Sequence, residues 1–293
     1  MILAIYNRIF EEHHIPIYQA FFAAIEGHNI ELSIYKDLYE NMTDYLDLSD
    51  INTETFNDAN DLNPLTDFFI SFGGDGTTLD AVLFVTNKQI PILGINLGRL
   101  GFLADVPKED IAFAVQCLLN RNYTIESRNL LKLDSNIPLF DKHPYALNDF
   151  TLLKKDTSSM IKINAYLNGQ FLNTYWCDGL IVATPTGSTG YSLSCGGPIV
   201  FPQTHAFVIT PISPHNMNVR PLVVPNDYVI SFEVEGRADH FLCTLDSRQE
   251  AIDKTVMLAV RKADFSIKLV RIASNNFLDT IKNKMYWGVD SRN

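Results

Sequence analysis

Between Asp67 and Thr86 an apolar run, Phe68-Phe-Ile-Ser-Phe72, breaks at Gly73-Gly-Asp-Gly-Thr77 and resumes with Leu79, Val82, Leu83 and Val85 at mostly helical spacing. Gly73, Gly74 and Gly76 let the backbone take positive φ and approach a ligand, while the amides of the first helical turn and the positive helix end face an anion. Asp75 is the odd member, because phosphate oxygens repel a carboxylate. It makes sense facing a hydroxyl nucleophile or a metal ion, so the loop implies phosphoryl transfer to an alcohol. Asp-Gly is also a hairpin signal, but the helical spacing after Gly76 argues against a hairpin, and Thr77 or Thr78 is expected to cap the helix. No lysine follows a glycine as in a P-loop and no Gly-x-Gly-x-x-Gly opens a helix, so the phosphate donor needs another loop design.

The 293 residues suffice for two domains with a sizeable core. A net charge of −11 argues against nucleic acid or an anionic membrane bound by bulk electrostatics, while local basic clusters remain able to hold phosphates. Cys117, Cys177, Cys195 and Cys243 are widely spaced, without a Cys-x-x-Cys pair or a preceding secretion signal. No window approaches the roughly 20 apolar residues of a membrane helix. The expectation is a soluble, cytoplasmic protein with reduced thiols.

Met1–Tyr6, Ile17–Ile25 and Ile30–Tyr35 read as strand, helix and strand. Asp37–Asp61 holds eight acidic residues and no basic one, and is expected to be a solvated helix face or loop. Phe68–Phe72 and Pro91–Ile95 read as buried strands and Glu109–Leu119 as a helix, an alternation that implies a parallel, Rossmann-like α/β sheet. In such sheets ligands sit beyond the carboxyl ends of the strands, where Asp75 falls. The second half has short β-rich segments at Lys162–Leu167, Gly179–Ala183, Ala206–Thr210, Tyr228–Val234, Phe241–Leu245, Thr255–Val260 and Ile267–Ile272, as expected of an all-β sandwich. The expected division is 1–125, 126–275 and a segment 276–293 that returns to the first domain.

A second unusual stretch, from Asp178 to Pro198, includes Thr184, Thr186, Ser188, Thr189, Ser192 and Ser194, with Gly187, Gly190, Gly196 and Gly197 for backbone freedom. Uncharged hydroxyls at this density suit a ribose, an amide or a base edge. A turn-rich connection with a capped helix accounts for two or three of them.

Gly73-Gly-Asp-Gly-Thr77, Asn96-Leu-Gly-Arg-Leu-Gly-Phe-Leu103 and Thr184-Pro-Thr-Gly-Ser-Thr-Gly-Tyr-Ser192 together closely resemble the NAD kinases, over about Phe68 to Trp287. The first motif alone is shared with lipid kinases and phosphofructokinases, whereas the third is far more specific. The resemblance implies an α/β domain followed by a β-sandwich, homodimers or homotetramers, and phosphorylation of the 2′-hydroxyl of the adenosine ribose of NAD. It also implies ATP as co-substrate, with a divalent metal such as magnesium.

Carried over, Asp75 matches the catalytic aspartate, flanked by Gly74 and Gly76. Asn148-Asp149 stands where the family usually has Asn-Glu on ribose hydroxyls, so a side chain one methylene shorter replaces the glutamate. Asp178 matches a substrate-site aspartate near the nicotinamide end, and Thr186, Thr189, Gly190, Tyr191 and Ser194 match the NAD-lining loop. Asp246-Ser-Arg248 replaces the common Asp-Gly-Gln, placing a cation near the nucleotide. Arg248 is expected to pair with Asp246 or Glu250 rather than with a phosphate of NADP. Trp176 is expected to be a packing aromatic and His13-His14 to be exposed, while His215 either borders the site or sits in a structural turn.

A carboxylate is a weak base and a ribose hydroxyl a very weak acid, so Asp75 is expected to orient the hydroxyl and take its proton late. A lipid or sugar kinase would share the Asp75 loop but gives no reason for the Thr184–Ser194 stretch. A nucleotide sensor would keep the binding loops without needing the aspartate.

Overall fold

The computed structural model describes residues 1–49, 51–155, 159–236, 240–272 and 277–285. The chain forms two compact units, Met1–Ser127 together with Ile267–Asn293, and Arg128–Ser266.

In the first unit, strands Thr53–Phe56, Glu31–Tyr35, Ile2–Tyr6, Phe68–Gly73 and Ile92–Asn96 lie side by side in that order, all parallel. Burial on both faces explains their near-continuous apolar sequences. Phe72, on the Phe68–Gly73 strand, packs with Tyr18 and Phe21 of helix Ile15–Ile25, which in turn lies against helix Ile111–Leu119. The chain order reverses between Ile2–Tyr6 and Phe68–Gly73, which opens a crevice beyond the carboxyl ends of the strands. Helix Phe277–Met285 belongs to this unit, while 286–293 of the expected returning segment lie outside the described residues.

The acidic Asp37–Asp61 region is more structured than its composition implied. It holds helix Lys36–Met42 and the edge strand Thr53–Phe56, anchored by buried Leu38, Met42 and Phe56. The strand is inconspicuous because only Phe56 of Thr-Glu-Thr-Phe is buried.

The second unit is a β-sandwich. Strands Leu222–Pro225, Ala206–Ile212, Gly179–Ala183, Asp149–Lys154, His240–Leu245 and Arg248–Asp253 form one antiparallel sheet in that order. Gln170–Cys177, Ile161–Leu167, Ile230–Glu235 and the start of Leu258–Ile272 form the other layer. Phe150 of the first layer stacks on Phe232 of the second, with ring centroids 5.5 Å apart, inside one continuous apolar core. The expected strands Thr255–Val260 and Ile267–Ile272 are not separate. They form one fifteen-residue strand, Leu258–Ile272, whose internal charge Arg261 is paired with Asp134 and Asp264.

Cys117, Cys177 and Cys243 are buried and Cys195 half-buried, all as free thiols. No helix among the described residues is long and apolar enough to cross a membrane.

Candidate active site

The crevice of the first unit is a cavity of about 380 Å³. It is lined by Asn7 and Arg8 after the first strand, by Gly73 and Gly74, and by Asn96 to Arg99 after Ile92–Asn96. Of the three glycines only Gly73 has a positive φ, +156°. Gly74 is the extended N-cap of helix Asp75–Val85 at φ −99°, and Gly76 lies within the helix. The helix has no side-chain cap: Thr77 and Thr78 sit inside it, and Thr78 Oγ1 lies 3.2 Å from Ser71 Oγ in the core. Burial of the small hydroxyls against the preceding strand thus overrides their capping tendency.

The Asp75 carboxylate is held by backbone amides. Phe102 N–H donates to Oδ2 at 2.9 Å, and Leu103 and Ala104 N–H donate to Oδ1 at 2.9 and 3.1 Å. Charge-assisted bonds of this kind fix the orientation of a carboxylate. Lys284 Nζ stands 3.8 Å from Oδ2 and 4.5 Å from the centre of the Phe102 ring. The loop is itself organised by Asn96, whose Nδ2 donates to the carbonyls of Arg99 and Ala104 at 2.6 and 3.1 Å. Arg271 donates to the carbonyls of Phe102 and Leu103 at 3.4 Å and pairs with Asp105 at 2.6 Å and Glu126 at 2.9 Å.

These partners of Asp75 had no assigned role in the sequence. The amides carry no side-chain signal, but a cation within the alternating apolar run Ile267-Lys-Leu-Val-Arg-Ile272 was a readable mark for Arg271. Arg8 pairs with Asp80 through two 2.5 Å bonds and donates to the Gly76 carbonyl at 3.1 Å, bracing the first helical turn.

In the second unit, Asp149 opens the strand Asp149–Lys154 and is buried, with Thr151 Oγ1 donating to it at 3.0 Å. Burial, and next the charge of Asp246, push its carboxyl up to about 7. Asp246 accepts the amides of Leu147, Asn148 and Asp149 at 2.9, 2.8 and 3.1 Å, and its own carboxyl is raised by burial against those bonds. It therefore supports the Asn148-Asp149 segment. The left-handed residue of its turn is Asp246 itself (φ +52°), a conformation aspartate tolerates, so serine at 247 costs little.

Arg248 donates to the carbonyls of His143, at 2.5 Å, and Tyr145, and lies over the Phe140 ring. The expected pairing is electrostatic only in part. The charge of Arg248 favours ionised Asp246, while Glu250 accepts the Phe140 amide at 2.6 Å.

Thr186 and Thr189 lie in the single 3₁₀ turn Thr186–Thr189, Gly190 follows, and Tyr191 to Ser194 make one short helix with Tyr191 and Ser194 exposed. Arg128 Nη1 donates to Thr186 Oγ1 at 3.4 Å. The other hydroxyls expected at the ligand are structural. Thr184 bonds the Leu147 carbonyl at 2.5 Å, Ser188 bonds the Pro185 carbonyl at 2.7 Å, and Ser192 bonds Thr210 at 2.7 Å, all buried. A Cβ at Gly187 would fall 2.1 Å from the Asn148 carbonyl oxygen, so only glycine lets this turn pack there. Gly187 and Thr184 thus join the hydroxyl-rich turn to the Asn148-Asp149 segment.

Asp178 is paired with Lys154 at 2.6 Å. Nearby in sequence, Trp176 is 49% exposed rather than packed inside, and with Lys162 and His215 it lines a separate cavity of about 570 Å³. His14 is buried, against expectation, whereas His13 is exposed.

The titration of Asp149 gives a prediction. An unfolded aspartate titrates near 4, so the folded state holds an extra proton between about 4 and 7, and stability falls as pH rises through that window. Asp149→Asn removes this titration. Its stability relative to the unaltered protein is expected to climb from pH 4 to 7 and then level off, by on the order of a few kcal/mol. Urea unfolding across this range measures it, and a pH-independent difference would contradict the assignment.

Residues 25–123 match the family model described as ATP-NAD kinase N-terminal domain, and 147–272 match ATP-NAD kinase C-terminal domain. The NAD kinase of Cytophaga hutchinsonii is 46% identical and that of Flavobacterium johnsoniae 45%, each alignment covering 100% of both chains. Among solved structures, yeast NADH kinase complexed with NADH superposes with a TM-score of 0.88 at 23% identity, covering 99% of this chain and 89% of the other. An NAD kinase from Archaeoglobus fulgidus in complex with ATP gives 0.72 at 25% identity, covering 98% and 99%. Full-length relatives at this identity and both domain models show that the chain belongs to the NAD kinase family.

Proposed function

We propose that the protein transfers the γ-phosphoryl group of ATP to the 2′-hydroxyl of the adenosine ribose of NAD, giving NADP and ADP. The observation that carries this reading is the Asp75 carboxylate, locked by three amides at the head of the glycine-loop helix. The loop backbone at Gly73 and Gly74, with the Arg99 guanidinium at the same cavity, holds the triphosphate. Asp75 orients the 2′-hydroxyl. Its oxygen bonds to the γ-phosphorus as the bond to the β,γ-bridging oxygen breaks, and the hydroxyl proton passes late to Asp75 and on to solvent.

A divalent cation such as magnesium, when bound with the triphosphate, supplies neutralisation of the β- and γ-phosphate charge. Asn148, Asp149, Asp178, Thr186, Thr189, Gly190, Tyr191 and Ser194 bind NAD, with Asp246 and Arg248 holding Asn148-Asp149 and its neighbours in place. A cytoplasmic homodimer or homotetramer completes the reading, on the strength of family membership.

The test is NADP formation by the purified protein from NAD, ATP and magnesium, read with an NADP-specific dehydrogenase. Formation supports the reading. Folded protein that binds NAD without forming NADP would favour a nucleotide sensor, and one that binds neither nucleotide would favour a lipid or sugar kinase.

A further inference from the structure

We propose that Glu11, His13 and His14 form a binding site for a borderline divalent cation, of the zinc kind, beside the glycine-loop cavity. One carboxylate oxygen and one ring nitrogen from each histidine lie within 4.8 Å of one another. His13 Nδ1 is 3.2 Å from Glu11 Oε2, and the two imidazole rings are 4.0 Å apart, centre to centre. The spacing is set by the backbone: His14 N–H donates to the Glu11 carbonyl at 2.9 Å, a tight turn that leads into helix Ile15–Ile25.

His14 is the informative member. It is only 9% exposed, and its buried Nδ1 has no hydrogen-bond partner. Buried polar atoms are nearly always satisfied, so an orphaned ring nitrogen calls for a partner.

The donor set decides the class of metal. Magnesium, calcium and manganese prefer oxygen ligands, whereas two imidazoles and one carboxylate suit zinc and related borderline ions. Three protein ligands leave coordination positions open to water or a phosphate oxygen. All three residues line the same cavity as Gly73, Gly74 and Arg99. The role of this ion, closing the fourth side of a triphosphate held by that loop, rests on the kinase reading; the binding of the ion does not.

The test is competition for zinc against a chromophoric chelator, using the full chain with no nucleotide. One equivalent per chain is expected, and His14→Ala should weaken binding about tenfold or more. His13 is exposed, so His13→Ala leaves packing intact and should weaken binding without changing the circular dichroism or thermal midpoint. No stoichiometric zinc binding, or equal binding by the unaltered protein and both variants, would overturn the proposal. Absence of NADP formation would overturn the kinase reading and leave the metal stoichiometry unaffected, so the two failures are distinguishable.

Discussion

Asp75→Asn is expected to lower kcat for NADP formation by about a hundredfold or more, while the affinity for NAD changes only a few-fold. Both carboxylate oxygens accept amide protons, from Phe102 on one and from Leu103 and Ala104 on the other. An asparagine must point its NH₂ group at one of these N–H donors, so the side chain turns away and takes with it the acceptor for the hydroxyl proton. Gly101→Ala tests the same point from the loop side. Its Cβ would fall 1.9 Å from Asp75 Oδ1, and a carboxylate fixed by three amides has little room to yield. A displaced catalytic group loses rate through misorientation rather than lost binding, so kcat is expected to fall with KM for NAD nearly unchanged. Steady-state kinetics with a fold check by circular dichroism decides this. Loss of NAD binding with an intact rate at saturation would remove Asp75 from the chemistry.

Arg271→Met is expected to destabilise the protein by about 3–5 kcal/mol, because it takes the buried guanidinium away from the Asp105 and Glu126 carboxylates. The side chains of Arg271 and Asp105 are 11% and 8% exposed, so water can do little to replace the lost charge. Glu126 loses its 2.9 Å partner at the same time. The carbonyls of Phe102 and Leu103 are freed as well, and these residues carry two of the three amides on Asp75. Chemical denaturation measures the stability loss. A kcat deficit under conditions where the variant is fully folded separates the loop effect from unfolding. Arg271→Lys keeps the charge but not the forked geometry, and should restore more stability than rate.

The central strand, the glycine loop and the helix after it were legible because periodicity and turn chemistry agree there, and Asp75 stood out as a carboxylate where an anion belongs. Its partners were hidden. Phe102, Leu103 and Ala104 act through main-chain N–H groups, for which any residue serves equally well. The hydroxyl-rich turn was legible in part: the turn-rich connection expected to account for two or three of its hydroxyls accounts for Thr184, Ser188 and Ser192, whose bonds are internal because a tight buried turn consumes hydroxyls to satisfy its own carbonyls and amides. Strand Leu258–Ile272 was split in the reading because Arg261, Lys262 and Asp264 resemble a loop until Asp134 appears opposite Arg261. His14 was misjudged because neighbouring His13 and the charges before it suggest a solvated turn, whereas its own ring is buried.

The first unit is discontinuous, interrupted by Arg128–Ser266 and completed only from Ile267 onward. During synthesis at the ribosome, the strands of residues 1–127 are made before Arg128–Ser266, whereas Arg271 and Lys284, which reach the loop around Asp75, are made after it. Contacts of such large sequence separation form slowly, so the loop around Asp75 is expected to gain its full set of contacts only once the sandwich residues have been made.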